Sequence, residues 1–285
     1  MLLKELIPED FNYYKYIIEN ELNKLLNISE VPENPEEKVF KTKNFSVDPE
    51  NLIPFPPELD DLARLHYIVL NRKVSTILEF GVGKSSKIFA NALLINKKKY
   101  KKFFIEYLRK TNLFEIHSVD NYEKWIFECR KNIDQEYFDA GISNIHFSNL
   151  FTSEFNSRIC TFYEKLPNIS PDLIYLDGPD QFSALKDVRG ISTRNQDRFP
   201  MSGDILAFEH FLHPGTLIIV DGRTANARFL KSNLQRKWCY SYSSKWDQHF
   251  FELLEDPLGK YNKANIDYCL GKNFYVRLNN FNNSF

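Results

Sequence analysis

The sequence predicts an α/β fold, a doubly wound and mostly parallel sheet with helices on both faces. Three observations predict it. From Val74 onward, short apolar runs alternate with segments of helical spacing, the order of a parallel sheet whose strands are joined by crossover helices. The runs are nearly unbroken, as in "TLIIV" (Thr216 to Val220), which suits strands buried on both sides. Each run also ends in a polar or glycine-containing turn.

Taken in order, residues 1 to about 30 read as helix, with Leu2, Leu3, Leu6, Ile7, Tyr14, Ile17, Ile18, Leu22, Leu25 and Leu26 at helical spacing. A proline- and charge-rich connector follows, whose prolines break helix and ladder alike. These make an N-terminal helical extension over 1–60, ahead of a main domain over 61–285. "ELDDLARLHYIVLNRK" returns to helix through Leu62, Leu65, Ile68 and Val69. Strands are then expected at "VSTILEF", "FEIHSVD", "SNIHF", "DLIYLD" and "GTLIIVD", with helices at "SSKIFANALLI", "EKWIFECRKNI", "SGDILAFEHFL" and "TANARFLKSNLQRK". "CYSYSS" and "HFFELLED" would add an antiparallel pair at one edge, giving seven strands. Two connections are long: Asn96 to Asn112, with five lysines within six residues, and Gln181 to Asp204. Long loops at strand ends often carry binding functions.

A chain of 285 residues with 43% hydrophobic and 15% aromatic content supports one large domain with a small appendage. Basic residues number 37 and acidic ones 38, so no net field favours nucleic acid. No apolar run approaches the ~20 residues of a membrane span, and no membrane insertion is expected. Cys129, Cys160, Cys239 and Cys269 are scattered, as free thiols in a reducing, cytoplasmic compartment would be. The N-terminal helix is compatible with a cover over the site or with a homo-oligomer contact.

The turn after the first strand is the informative one. "LEFGVGKSS" contains Gly-Lys-Ser, but a phosphate-gripping loop needs G-x-x-x-x-G-K-[ST], and its opening position here is Leu78, inside the strand. Glu79 would also bring negative charge towards the phosphates. The dinucleotide pattern G-x-G-x-x-G fails as well, because Ser86 stands at its last position. An acid, two glycines and a serine at a helix start remain: Glu79, Gly81, Gly83 and Ser85. The helix end favours a carboxylate and the acid favours a cation. A ligand with an amino-acid end and no phosphate suits this turn, and S-adenosylmethionine has those groups plus a sulfonium.

On these residues the sequence resembles the class I, Rossmann-like S-adenosylmethionine-dependent methyltransferases. "LEFGVGKSS" is similar to their first motif, and Asp120, followed by Asn121, matches the acid that holds the ribose hydroxyls. "HFSNLF" falls at their adenine position, with Ser148, Asn149 and Leu150 in place of the usual Gly-Asp-Ala. "DLIYLDGPD" resembles the fourth-strand motif, which sets Asp177 at the cleft mouth. The stretch from Glu79 to Asp120 is about twice the ~20 positions usual between a glycine loop and its ribose acid, the lysine-rich segment supplying the excess. "DGPD" and "VDGRTANARFL" most resemble a bacterial branch associated with small molecules and glycans.

The resemblance implies S-adenosyl-L-methionine as cofactor, held by Glu79, Gly81, Gly83, Ser85, Asp120, Asn121, Asn149 and Asp177. It implies a small-molecule or glycan acceptor, methylated at a hydroxyl. Methyl transfer is an in-line displacement, so alignment supplies most of the acceleration, and an alcohol acceptor also needs a base in reach. Asp177, Asp221 and His210 are the candidate catalytic residues, with Asp180 and Arg223 on the acceptor; Arg223 could clamp an anion bidentately. The bland alternatives are a turn-capping carboxylate, a solvated arginine and a structural histidine in "ILAFEHFL". Related O-methyltransferases hold a divalent cation with acids after strands four and five. Asp177 and Asp221 match two positions, but Gly222 replaces the third ligand, so no obligatory metal is expected.

Two rival functions remain: a P-loop-like kinase or NTPase, with Lys84 on phosphate and Asp177 on magnesium, and a binding protein that keeps the fold without the chemistry. A nucleic-acid methyltransferase is disfavoured, since Asp177-Gly178-Pro179-Asp180 stands where DNA amino-methylating enzymes have their signature. The lysine cluster, interleaved with Tyr100, Phe103 and Phe104, is the one feature favouring RNA; a solvated face is the alternative.

Overall fold

The computed structural model describes residues 2–34 and 58–283; most of the proline-rich connector lies outside the described residues. The N-terminal stretch expected as one helix is three short ones, α1 (Leu2–Leu6), α2 (Tyr13–Glu19) and α3 (Leu22–Leu25). Pro8 cannot continue α1. Asn12 starts α2 by accepting the Lys15 amide at 2.8 Å, and Glu21, at φ 52°, separates α2 from α3.

The helix α4 (Leu59–Asn71) leads into β1 (Thr76–Phe80), α5 (Lys84–Tyr107), β2 (Glu115–Asp120), α6 (Glu123–Asn132), α7 (Gln135–Asp139) and β3 (Ser143–Phe147). After β3 come β4 (Leu150–Phe155), β5 (Arg158–Tyr163), β6 (Leu173–Leu176), α8 (Asp204–Phe208) and a short 3-10 turn (Glu209–Phe211). The chain continues through β7 (Leu217–Asp221), α9 (Thr224–Asn233), β8 (Trp238–Ser243), β9 (Gln248–Leu253), α10 (Gly259–Cys269) and α11 (Gly271–Asn282).

Seven strands form one sheet in the order β3-β2-β1-β6-β7-β9-β8. The first five in that order are parallel, and β9 runs antiparallel to both β7 and β8. This is the doubly wound, Rossmann-like architecture expected, with the antiparallel pair at one edge and β8 outermost. Period-two alternation divides each central strand between two cores. Ile77, Leu173, Tyr175, Leu217, Ile219 and Phe250 face the N-terminal helices and α5, whereas Leu78, Ile174, Leu176, Ile218, Val220 and Phe251 face α8 and α9. The N-terminal helices thus share a core with the sheet: Leu2, Leu6, Tyr13, Ile17 and Leu22 belong to the same cluster as Ile77.

The lysine-rich segment is the second half of α5, which runs unbroken for 24 residues. Two features differ from the sequence reading. Residues 150–163 form an antiparallel hairpin, β4 on β5, turned by Asn156 and Ser157, both at positive φ. The chain also closes on two helices, α10 and α11. Arg277 of α11 donates to Glu252 of β9 at 2.6 Å and to Glu5 of α1 at 2.5 Å, tying both ends of the chain to the far end of the sheet.

Candidate active site

Strand order reverses between β1 and β6, and open α/β sheets offer their crevice at such a switch point, beyond the carboxyl ends of the strands. Four acids lie at or just inside those ends: Glu79 in β1, Asp120 closing β2, Asp177 after β6 and Asp221 closing β7. The parallel register puts them at one mouth, since Phe80 pairs with Val119 and Leu176, and Leu176 with Val220.

The glycine turn is wired inward. The Gly81 amide donates to Val119 O at 2.9 Å, the Val82 amide to Asp120 Oδ2 at 3.0 Å and the Gly83 amide to Ser86 Oγ at 3.1 Å. A phosphate loop needs those amides free, so this turn does not make one. Lys84, the residue the kinase reading places on phosphate, is exposed at the start of α5. Gly81, at φ +91°, has its missing side chain filled by the backbone of Gly178. Gly83 is different, because a Cβ there would meet nothing nearer than Ser85 Oγ at 3.9 Å. Gly83 has no side chain to cap α5, so apart from its own amide, held by Ser86, the first-turn amides face that open space.

Glu79 is fully buried beneath the turn and accepts from three hydroxyls: Ser85 at 2.7 Å, Ser86 at 2.6 Å and Ser118 at 2.5 Å. Burial pushes it up to about 7 despite those donors. Asp120 accepts the Val82 amide and, at 2.8 Å, the Tyr122 amide; burial raises it to about 6. Asn121 gives both ends of its amide to the Asp180 backbone, at 2.9 and 3.0 Å, and so bridges the β2 and β6 loops. Asp180 in turn accepts the Ser183 amide at 2.8 Å, shaping the Gln181 to Asp204 loop. Asn149 stands on the rim, donating to Glu164 at 2.9 Å.

On the other side of the switch point, Asp177 has 55% of its side chain open to solvent and lies 3.7 Å from Arg223 Nε. The protein crowding around it, and then the charge of Asp221, raise its pKa, while Arg223 pulls it back. Arg223 also donates to Pro179 O at 3.2 Å. Asp221 accepts from Tyr175 OH at 2.6 Å and Gln248 Nε2 at 3.0 Å, and its pKa is raised by burial. Tyr175 and Gln248 were not singled out by the sequence. Tyr175 had a signal, lying two positions before Asp177 and so on the same strand face; Gln248 had none.

His210 does not join this group. The helix expected through "ILAFEHFL" ends at Phe208, and His210 is exposed on the 3-10 turn leading to the amino-terminal end of β7. His210 therefore stands at the opposite end of the sheet from the four acids, too far to act with them as the catalytic residue expected. Its neighbour Glu209 is the anchor there, buried and accepting from Trp238 Nε1 at 2.8 Å. Among the described residues, the one acidic cluster close enough to share a cation is Glu58, Asp60 and Asp61, with Arg64 against both aspartates.

Glu79 and Asp120, with Asp204 raised by burial to about 7, give a signed pH dependence. A carboxyl raised in the fold stabilises fully below its unfolded value, near pH 4, and that contribution is lost as pH climbs through about 6 to 7. These acids therefore lower the melting temperature from roughly pH 4 to pH 7, against an opposite contribution below about pH 6.5 from His66, which burial lowers to about 4. Glu79→Gln should remove part of the acids' slope in scanning calorimetry. A Glu79→Gln profile with the native slope would contradict the assignment.

No family model matches the chain, and no curated protein matches it. Among solved structures it is similar to the methyltransferase PaMTH1 of Podospora anserina bound to SAH, at 12% identity and a TM-score of 0.45, over 88% of this chain and 89% of that one. It is also similar to an O-methyltransferase from Bacillus cereus in complex with SAH, at 14% identity and a TM-score of 0.37, over 89% and 96%. A third is the O-methyltransferase TomG of Streptomyces achromogenes, involved in tomaymycin synthesis and in complex with SAM, at 11% identity and a TM-score of 0.37, over 88% and 93%. At such values these likenesses add nothing to a fold already read from its own strand order.

Proposed function

We propose that this chain is an S-adenosylmethionine-dependent methyltransferase acting on a hydroxyl of a small molecule or sugar. What carries the reading is the charge and wiring of the mouth. Asp120, Asp177 and Asp221 stand at it with Glu79 buried beneath the turn, and the turn amides that would grip a polyphosphate are already bonded inward. Such a mouth offers a polyphosphate no cradle, while its carboxylates suit a ligand that carries a cation. The residues fit the cofactor's parts. The open space beside Gly83 and the first-turn amides of α5 suit the amino-acid carboxylate. Asp120 has lone pairs left for ribose hydroxyls, with Asn149 on the rim nearby.

Bound S-adenosylmethionine would supply a methyl group on a sulfonium, an electrophile needing no further activation. The chain's own residues do the rest. Asp177, the more open of the two carboxylates and raised towards neutral pH, is placed to take the acceptor's proton. Asp221, fixed by Tyr175 and Gln248, orients the acceptor hydroxyl. Arg223 holds Asp177 from the side.

Titration calorimetry tests the reading. SAH is expected to bind the intact protein, ATP to give no heat, and Asp120→Ala to weaken SAH by about tenfold or more, the worth of hydrogen bonds to a charged group. Heat from ATP with none from SAH would reverse the assignment.

A further inference from the structure

The lysine-rich half of α5 has no part in the mouth. At 1.5 Å per residue α5 is ~36 Å long, while β1, with five residues, spans ~17 Å. The helix starts at the mouth, so its second half extends past the opposite end of the sheet. There Lys98, Lys99, Lys101 and Lys102 are all exposed. Lys98, Lys102 and Ile105 recur at i, i+4 and i+7 and so share one face. Arg109 and Lys260 add to the same end, because both lie over the ring of Tyr261, at 5.1 and 5.0 Å. In a chain with 37 basic and 38 acidic residues, such a concentration is a local field, not an average.

Aliphatic side chains stand exposed on the same face: Ile105 at 62%, three positions after Lys102, and Ile95 at 37%, three positions before Lys98. The aromatic rings lie on the other side of α5: Phe103 stacks on Tyr268 at 3.8 Å and lies 4.8 Å from Tyr107, which is two positions from Ile105 and so faces away from it. Single-stranded nucleic acid needs free ring faces beside its cations, and the face of Lys98 and Lys102 carries none. Exposed aliphatic groups interleaved with lysine point charges match an anionic bilayer surface, where the ammonium groups meet headgroups and the aliphatic groups enter the interface.

We propose that the distal half of α5 docks this protein peripherally on anionic lipid through the face of Lys98, Lys102 and Ile105, the mouth facing away from the bilayer. No helix among the described residues is long and apolar enough to cross a membrane. Each cation beside an anionic leaflet is worth about fivefold in partitioning.

The test is co-sedimentation of the full chain with vesicles of phosphatidylcholine containing about one-quarter phosphatidylglycerol, at about 0.1 M salt. The protein is expected to pellet with them and to stay in solution with pure phosphatidylcholine. Lys98→Glu, Lys101→Glu and Lys102→Glu together should weaken binding by about 100-fold or more. Ile105→Ser should weaken it while leaving its salt dependence unchanged. Unaltered melting temperatures would show that the variants fold. No pelleting of the native protein, equal pelleting with both vesicles, or unchanged binding of the triple variant would overturn the proposal. So would preferential binding of single-stranded RNA lost in the same triple variant, which would give the patch to nucleic acid.

Discussion

Gly178→Ala is expected to destabilise the protein by about 3 kcal/mol or more and to abolish SAH binding. A Cβ at Gly178 would lie 2.4 Å from Gly81 N and 2.7 Å from both Gly81 Cα and Phe80 C. All three are backbone atoms, so no side chain can swing aside to make room. Nor can the two loops part freely. The Gly178 amide donates to Phe80 O at 2.5 Å, and the Asp177 amide to the same oxygen at 3.0 Å. Relief must come from moving the glycine turn, and with it the Val82 amide on Asp120 and the start of α5. The effect on binding should exceed what the stability loss alone would give. Thermal unfolding is expected to drop by on the order of 5–10 °C, with calorimetry showing no SAH heat well below the new transition. Gly83→Ala is the control: its Cβ enters open space, so stability should hold while the cofactor space shrinks. If Gly178→Ala bound SAH like the native protein, the two loops would not form the floor of the mouth.

The acids of this mouth were legible because a strand's end is where period-two alternation stops. "TILEFG", "IHSVDN" and "LIIVDG" each carry their acid at or just inside that boundary, and unbroken apolar runs place the boundary to within about two residues. What lay beyond reach was pairing across the chain. Gln248 reaches Asp221 over 27 positions and Arg64 over 184, and no local pattern announces either. The hairpin at 150–163 was hidden differently: "LFTSEF" and "RICTFY" mix polar and apolar residues too evenly to separate a strand from a loop. His210 was misplaced because "ILAFEHFL" reads as one helix, while Glu209 turns inward to Trp238 and the backbone of Gln235 and Arg236, ending the regular helix.

Arg64→Met should cost about 3–5 kcal/mol, the loss seen when one partner is removed from a buried ionic cluster. Arg64 is completely buried. Its guanidinium donates to Asp60 at 2.9 Å and to Tyr13 OH at 3.2 Å, and it contacts Asp61. It also lies 4.8 Å over the ring of Trp246. Methionine fills most of the volume but leaves two buried aspartates without their cation. Against a typical total stability of about 5–15 kcal/mol, that loss would move the urea midpoint far enough to read directly. Removing the aspartates as well separates charge from packing. Arg64→Met with Asp60→Leu and Asp61→Leu should recover most of the stability, since an apolar replacement of a whole buried cluster is often neutral or better. The mouth should not recover with it. Arg64 Nε also donates to Gln248 Oε1 at 3.4 Å, and the other end of that amide holds Asp221. The triple variant would then fold and bind SAH, but Gln248, and through it Asp221, would lose the Arg64 anchor. A single Arg64→Met change costing under about 1 kcal/mol would mean that water reaches the aspartates, and that the N-terminal helices and the mouth are not coupled through this residue.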